Sequence, residues 1–194
     1  MLTFPTPAAL AAWLQAQQID TTTWGQGAAK RVEDLWRETQ QAESALYPDA
    51  PLRRVQVVEL LIEAEGRQLI EAEQILTSGQ VRRRNQPPSE KMLPGEDPIA
   101  TARRCLAEEL AITDERLIHF PPQQVHERRL LVESASYPGL VTQFTFYRVA
   151  VQVQSLPDAP FTTNNAAHHH GDPVVAHRWQ WQIIIIDPRN KTTC

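Results

Sequence analysis

The chain is poor in cysteine. Its 194 residues include two, Cys105 and Cys194, one inside a helical pattern and the other at the last position. That number excludes a disulfide framework and fits a reducing compartment. No apolar run approaches the roughly 18 residues that a membrane helix needs; the run Ile183 to Ile186 reads as a strand end. The opening residues Met1-Leu2-Thr3-Phe4-Pro5 lack the basic segment of a secretory leader. Cytoplasm is the expected location, with no membrane partner. An excess of positive charge is also missing, and a formal net charge of -4 argues against bulk nucleic-acid binding through phosphate neutralisation. No internal repeat is evident.

What is present fits an ordinary globular protein. Hydrophobic residues make up 42% and charged residues 22%, enough apolar surface for one generous core with decorations. Thr6-Pro7 supplies a capping hydroxyl and a first-turn proline, and Leu10, Trp13 and Leu14 follow at helical spacing. A second helix is expected from Gln26 to Leu46, with Ala28, Val32, Leu35 and Trp36 on its apolar stripe. Pro48 and Pro51 close this segment, so the division expected is a helical extension over 1–50 and a main domain over 51–194.

Arg53 to Glu65 and Gln68 to Thr77 are rich in Val, Leu and Ile around Gly66, which predicts a hairpin. Residues 79–98 are proline-rich and read as an irregular loop carrying Arg82-Arg83-Arg84. Asp97-Pro98 opens a helix through Ala111, with Ile99, Ala102, Leu106 and Leu110 along one face. Val125 to Glu133 and Leu140 to Val153 read as strands joined around Tyr137-Pro138-Gly139. A polar loop is expected from Ser155 to Asp172, including His168-His169-His170, three neighbours that cannot converge on one metal ion from an extended backbone. The last strand, Val174 to Ile186, puts His177, Trp179, Trp181 and Ile183 on one face, read first as a buried sheet face and second as a base-stacking wall.

The helix after residue 97 carries the chemistry. Arg104 and Glu108 stand four apart, so the carboxylates of Glu108 and Glu109 emerge beside a guanidinium. Hard cations such as Mg²⁺ or Mn²⁺ take several carboxylate oxygens and share coordination with substrate phosphates, so this pair near a basic loop suits a diphosphate. The plain alternative is a solvated helix face. Arg82, Arg83 and Arg84 can aim guanidinium groups at phosphates, and the competing reading is a solvated charge run.

The wider string Gly95-Glu96-Asp97-Pro98, then Arg104-Cys105-Leu106-Ala107-Glu108-Glu109-Leu110-Ala111-Ile112, resembles a Nudix box, aligned without a gap. Glu96, Arg104, Leu106, Glu108, Glu109 and Ile112 match that family's motif, and the strand order on either side extends the resemblance over residues 53 to 186. The resemblance implies a Nudix-like α/β/α sandwich with a mixed, largely antiparallel sheet, preceded by two N-terminal helices. It also implies metal ligation by Glu108 and Glu109, and a catalytic box built on Glu96, Arg104 and Glu109.

Three positions depart from the motif: its opening glycine falls on Glu90, the glutamate after the arginine is Cys105, and the late glycine is Ala111. In the family the glutamate at the Cys105 position supplies a metal ligand or a base, and a neutral thiol is a poor ligand for a hard cation. Hydrolysis is therefore expected to be weak or lost unless another carboxylate compensates, the candidates being Glu71, Glu73, Glu90 and Glu133. Cys105 itself reads as a small packing residue. If Ala111 keeps the glycine's backbone conformation, the strain is about 1 kcal/mol.

Two functions stay in view: a noncatalytic module that binds a phosphorylated small molecule or a protein partner, and a divergent Mg²⁺-dependent hydrolase of nucleoside diphosphate-linked compounds. An isopentenyl diphosphate isomerase, whose family shares the fold, ranks last because no matching Cys-x-His-Pro segment lies upstream. Trp13, Trp36 or the 155–172 loop are expected over the pocket mouth in a binding module, and a homodimer is among the expected assemblies.

Overall fold

The structure is a computed structural model and describes residues 2–27, 29–47, 52–122, 125–166 and 173–184. His168, His169 and His170 lie outside the described residues, as does Ala28. The chain forms two compact units, one from residues 1–58, 90–101 and 125–148, the other from 59–89, 102–124 and 149–194.

In the first unit, helix α1 (Pro7–Ala16) starts as the sequence predicts, with the Thr6 hydroxyl accepting from the Ala9 amide at 3.1 Å. Helix α2 (Val32–Gln40) is shorter than the expected 26–46 segment. The cause is backbone geometry at both ends. Gly25 and Gly27 adopt positive φ before it and Ala42 does so after it, while the Asp34 carboxylate caps the Arg31 amide at 2.9 Å. Leu10, Leu14 and Leu35 pack with Phe4, Trp24, Leu46, Tyr137 and Leu140 in one buried cluster, and Val32, Trp13 and Trp36 close its margin. Trp24 and Trp36 satisfy their indole N–H groups on the carbonyls of Pro138 and Phe4, both at 2.9 Å. The two helices thus dock through the stripes read from sequence.

A buried charge hub fixes the same unit. Glu38 accepts from Lys30 at 2.7 Å and from Arg53 at 2.6 Å, and Lys91 stands 3.1 Å away. Burial works to raise the Glu38 pKa, but the charges of Lys91, Arg53 and Lys30 outweigh it and hold the carboxyl well below its usual range. The sheet here is antiparallel. β1 (Ala45–Tyr47) pairs with β2 (Leu52–Ala64), and β7 (His126–Ser134) pairs with β8 (Tyr137–Val153). The turn before β8 falls at residues 135–136, so Tyr137, expected in the turn, is instead fully buried at the strand start.

In the second unit, the predicted hairpin joins β2 to β3 (Arg67–Leu76). Glu65 and Gly66 both take positive φ, as a two-residue turn matching strand twist requires. The segment expected as a loop contains β4 (Val81–Gln86), which pairs with β3, and β5 (Ser89–Lys91). Strand propensity is poor across Arg82-Arg83-Arg84, but β3 supplies both a backbone ladder and polar partners, so tertiary pairing prevails over local preference. Similarly, β9 (Phe161–Asn164) sits within the expected 155–172 loop and pairs with β10 (Val174–Ile183), which also pairs with β3. Trp179 is buried as expected, whereas Ile183 is exposed.

Candidate functional site

Helix α3 (Pro98–Glu108) carries the motif. Its start lies in the first unit, where Asp97 Oδ1 accepts from the amides of Ile99 and Ala100, each at 2.8 Å. Glu96 Oε2 accepts from the Leu93 amide at 2.8 Å and from the Thr101 hydroxyl at 2.9 Å. This carboxylate therefore ties the preceding loop to the helix, an ordering role.

The rest of the motif lies in the second unit. Arg104 and Glu108 form an i,i+4 contact at 3.4 Å, with both side chains partly exposed. Cys105 is fully buried, and its Sγ lies 3.7 Å from Glu109 Oε2, a weak thiol donor facing a carboxylate one turn away. The helix end is held by the Thr163 hydroxyl, which donates to the Glu109 carbonyl and accepts from Trp179 Nε1 at 2.7 Å. Ala111 has a φ of 57°, a left-handed conformation that favours glycine, and the Ile112 amide donates to the Leu106 carbonyl at 2.9 Å.

A polar network joins β3, β4 and β10 in this unit. Glu71 Oε1 lies 2.6 Å from His177 Nδ1, and Glu71 Oε2 accepts from Arg84 Nε at 3.2 Å. Burial works to raise the Glu71 pKa, yet the His177 hydrogen bond and the Arg84 charge outweigh it and hold the carboxyl below its usual range. An ionised Glu71 can only accept, so the proton of this bond sits on His177 Nδ1. The His177 ring stacks on Trp179 with centroids 5.5 Å apart, and its buried Nε2 finds no partner among the described residues.

The three arginines separate by strand alternation. Arg82 Nε bonds Gln74 at 2.9 Å and Arg84 bonds Glu71, whereas Arg83 is exposed and stands opposite Glu73 in register. Glu73 is engaged by Arg178 at 2.7 Å. Of the other carboxylates considered as compensators, Glu90 accepts from the Lys91 amide and Glu133 from the Gly139 amide, both in the first unit and both at 2.8 Å. Sequence reasoning named Glu71 and His177 separately but missed their pairing and the Thr163 bridge. Nothing local marks the pairing, because β3 mixes polar Arg67, Gln68, Glu71, Glu73 and Gln74 with apolar residues and only folding shows that Glu71 and Gln74 are the buried ones.

The donor set does not fit a Mg²⁺ or Mn²⁺ site. Among the described residues no cluster of three His, Cys, Asp or Glu side chains could hold a metal ion. At the centre of the motif a buried thiol occupies the place of a carboxylate and presents a hydrogen to Glu109 in place of a lone pair.

Solved structures similar to this chain include a Nudix hydrolase. That protein, from Nitrosomonas europaea, is 20% identical, overlaps 54% of this chain and 62% of its own, and has a TM-score of 0.37. The E. coli ORF135 protein is 23% identical over 50% of this chain and 60% of its own, with a TM-score of 0.32. A C. elegans Ap4A hydrolase is 18% identical over 66% of this chain and 78% of its own, with a TM-score of 0.34. The chain thus spans about three fifths of the length of the first two. No family model matches it, and no curated protein does. Overlaps with TM-scores below 0.5 assign neither family nor activity. No helix among the described residues is long and apolar enough to cross a membrane.

Proposed function

We propose that this chain is a Nudix-like protein with weak or no hydrolase activity that binds a phosphorylated small molecule in the cytoplasm. One observation carries the reading: the buried Cys105 thiol on Glu109, where the motif it resembles has a third carboxylate. Two glutamates without that third oxygen donor hold a hard dication poorly and activate water poorly. Arg83, exposed on β4, supports recognition of a phosphate. Arg82 and Arg84 are already bonded to β3 and support the strand that presents it.

The second reading, a divergent Mg²⁺-dependent hydrolase, draws support from Glu108 and Glu109, which stay partly exposed. A protein partner in place of the small molecule is a third outcome. Calorimetric titration of Mg²⁺ and Mn²⁺, with and without nucleoside diphosphate derivatives, separates them when phosphate release is followed in the same samples. Ligand binding without turnover is expected. Turnover that disappears in Glu109→Gln overturns the proposal in favour of the hydrolase. Absence of both metal and ligand binding overturns it in favour of a protein-binding role.

A further inference from the structure

Strand β7 lies in the first unit and pairs only with β8 among the described residues, so its outer backbone edge has no partner there. It is exposed on both faces from His126 to Leu131. Apolar side chains stand on it and beside it: Leu131 is 64% exposed, Leu130 38%, and Val141, opposite Glu133, 41%. A nine-residue edge strand with adjacent exposed leucines is a template for pairing with another strand.

The charges on this edge restrict what that strand can be. In an antiparallel pair related by a two-fold axis, residues opposite each other share a face, so the axis must pass through one residue of β7. An axis at Arg129 sets Arg129 against its own copy, and one at Leu130 sets Glu127 against Glu133. Both place like charges directly opposite and are disfavoured. An axis at Leu131 sets Leu131 against Leu131, Leu130 against Val132, Arg129 against Glu133 and Arg128 against Ser134. The most exposed leucine then meets its own copy, and two symmetry-related Arg–Glu pairs flank it on the same face. An axis at Val132 forms neither ion pair and shortens the ladder. The existing Arg129–Glu127 contact at 2.7 Å joins two exposed side chains and resists exchange little.

From this self-complementarity we infer that β7 is a homodimer interface, with two copies of the chain pairing antiparallel about Leu131. Of the registers that avoid like-charge pairs, this is the one that sets Arg129 against Glu133. The full chain is tested by sedimentation velocity over a concentration series, with circular dichroism confirming that each variant stays folded. The expected results are a wild-type dimer and a dissociation constant raised about tenfold or more in Arg129→Glu, in Glu133→Arg and in Leu131→Lys. A one-to-one mixture of Arg129→Glu with Glu133→Arg should dimerise again, because each copy then presents the charge that the other lacks. A monomeric wild type, a dimer indifferent to Arg129→Glu and Leu131→Lys, or a mixture no tighter than its components overturns the inference.

Discussion

Replacing Cys105 with glutamate supplies the carboxylate found at this position of the motif that α3 resembles and tests whether the thiol there keeps a dication from binding. Cys105 Sγ lies 3.7 Å from Glu109 Oε2 and is fully buried. Two carboxylate charges about 4 Å apart repel by about 4 kcal/mol at an effective dielectric near 20. The pair relieves part of this by taking up a proton. In a chelator at neutral pH, Cys105→Glu should therefore lose about 2–4 kcal/mol, a fall of roughly 5–10 °C in Tm for a chain of this size. A dication that binds the restored cluster reverses the sign of the interaction. At a hundredfold excess over its dissociation constant it returns about 2.7 kcal/mol. The assay is thermal unfolding of wild type and variant in EDTA and in rising Mg²⁺. The variant should recover while the wild-type Tm stays within about 1 °C, since binding of order one dissociation constant adds only a few tenths of a kcal/mol. An equal Mg²⁺ response in both proteins, or a destabilised variant that Mg²⁺ does not rescue, refutes the reasoning.

Four further substitutions have expected outcomes. Glu38→Gln leaves the buried Arg53 guanidinium without its anion and should cost about 3–5 kcal/mol in urea unfolding. Because the folded Glu38 pKa is depressed, its stabilisation is present above the unfolded value of about 4.3 and is lost as pH falls through the lower folded value; the variant should flatten that acid limb. Ala111→Gly relieves a left-handed backbone and should raise stability by about 0.5–1 kcal/mol after the added chain entropy of glycine, read as a higher urea midpoint. Arg83→Ala should weaken binding of a phosphorylated ligand in calorimetry without moving Tm, whereas Arg84→Ala should lower stability by about 1–2 kcal/mol because buried Glu71 loses a charged donor.

Local chemistry wrote much of the fold into the sequence. The Thr6 and Asp97 caps, the Glu65-Gly66 turn and the stripes through Leu10, Leu14 and Leu35 depend on neighbours within a few residues, so period and residue type suffice to place them. The unusual motif was equally visible, because Cys105 and Ala111 are substitutions in a fixed spacing. Whether Ala111 would keep the left-handed backbone was open in the sequence, and the structure gives it a φ of 57°.

Partners distant in sequence required the tertiary structure. β4 exists because β3 offers a ladder and Gln74 and Glu71 receive Arg82 and Arg84, not because Arg82-Arg83-Arg84 favours a strand. His177 and Glu71 are 106 positions apart, and the Thr163 bridge joins the end of α3 to β9 across 54. No periodicity encodes such pairings, since their stability comes from removing water around groups that meet only once the chain is folded. The sequence by itself determined where α1 and α3 begin, where the first hairpin turns and that Cys105 stands where the motif it resembles has a glutamate. Tertiary structure alone decided that the cysteine in its place is buried against Glu109, that one arginine of three remains exposed, and that β7 has an unpaired edge.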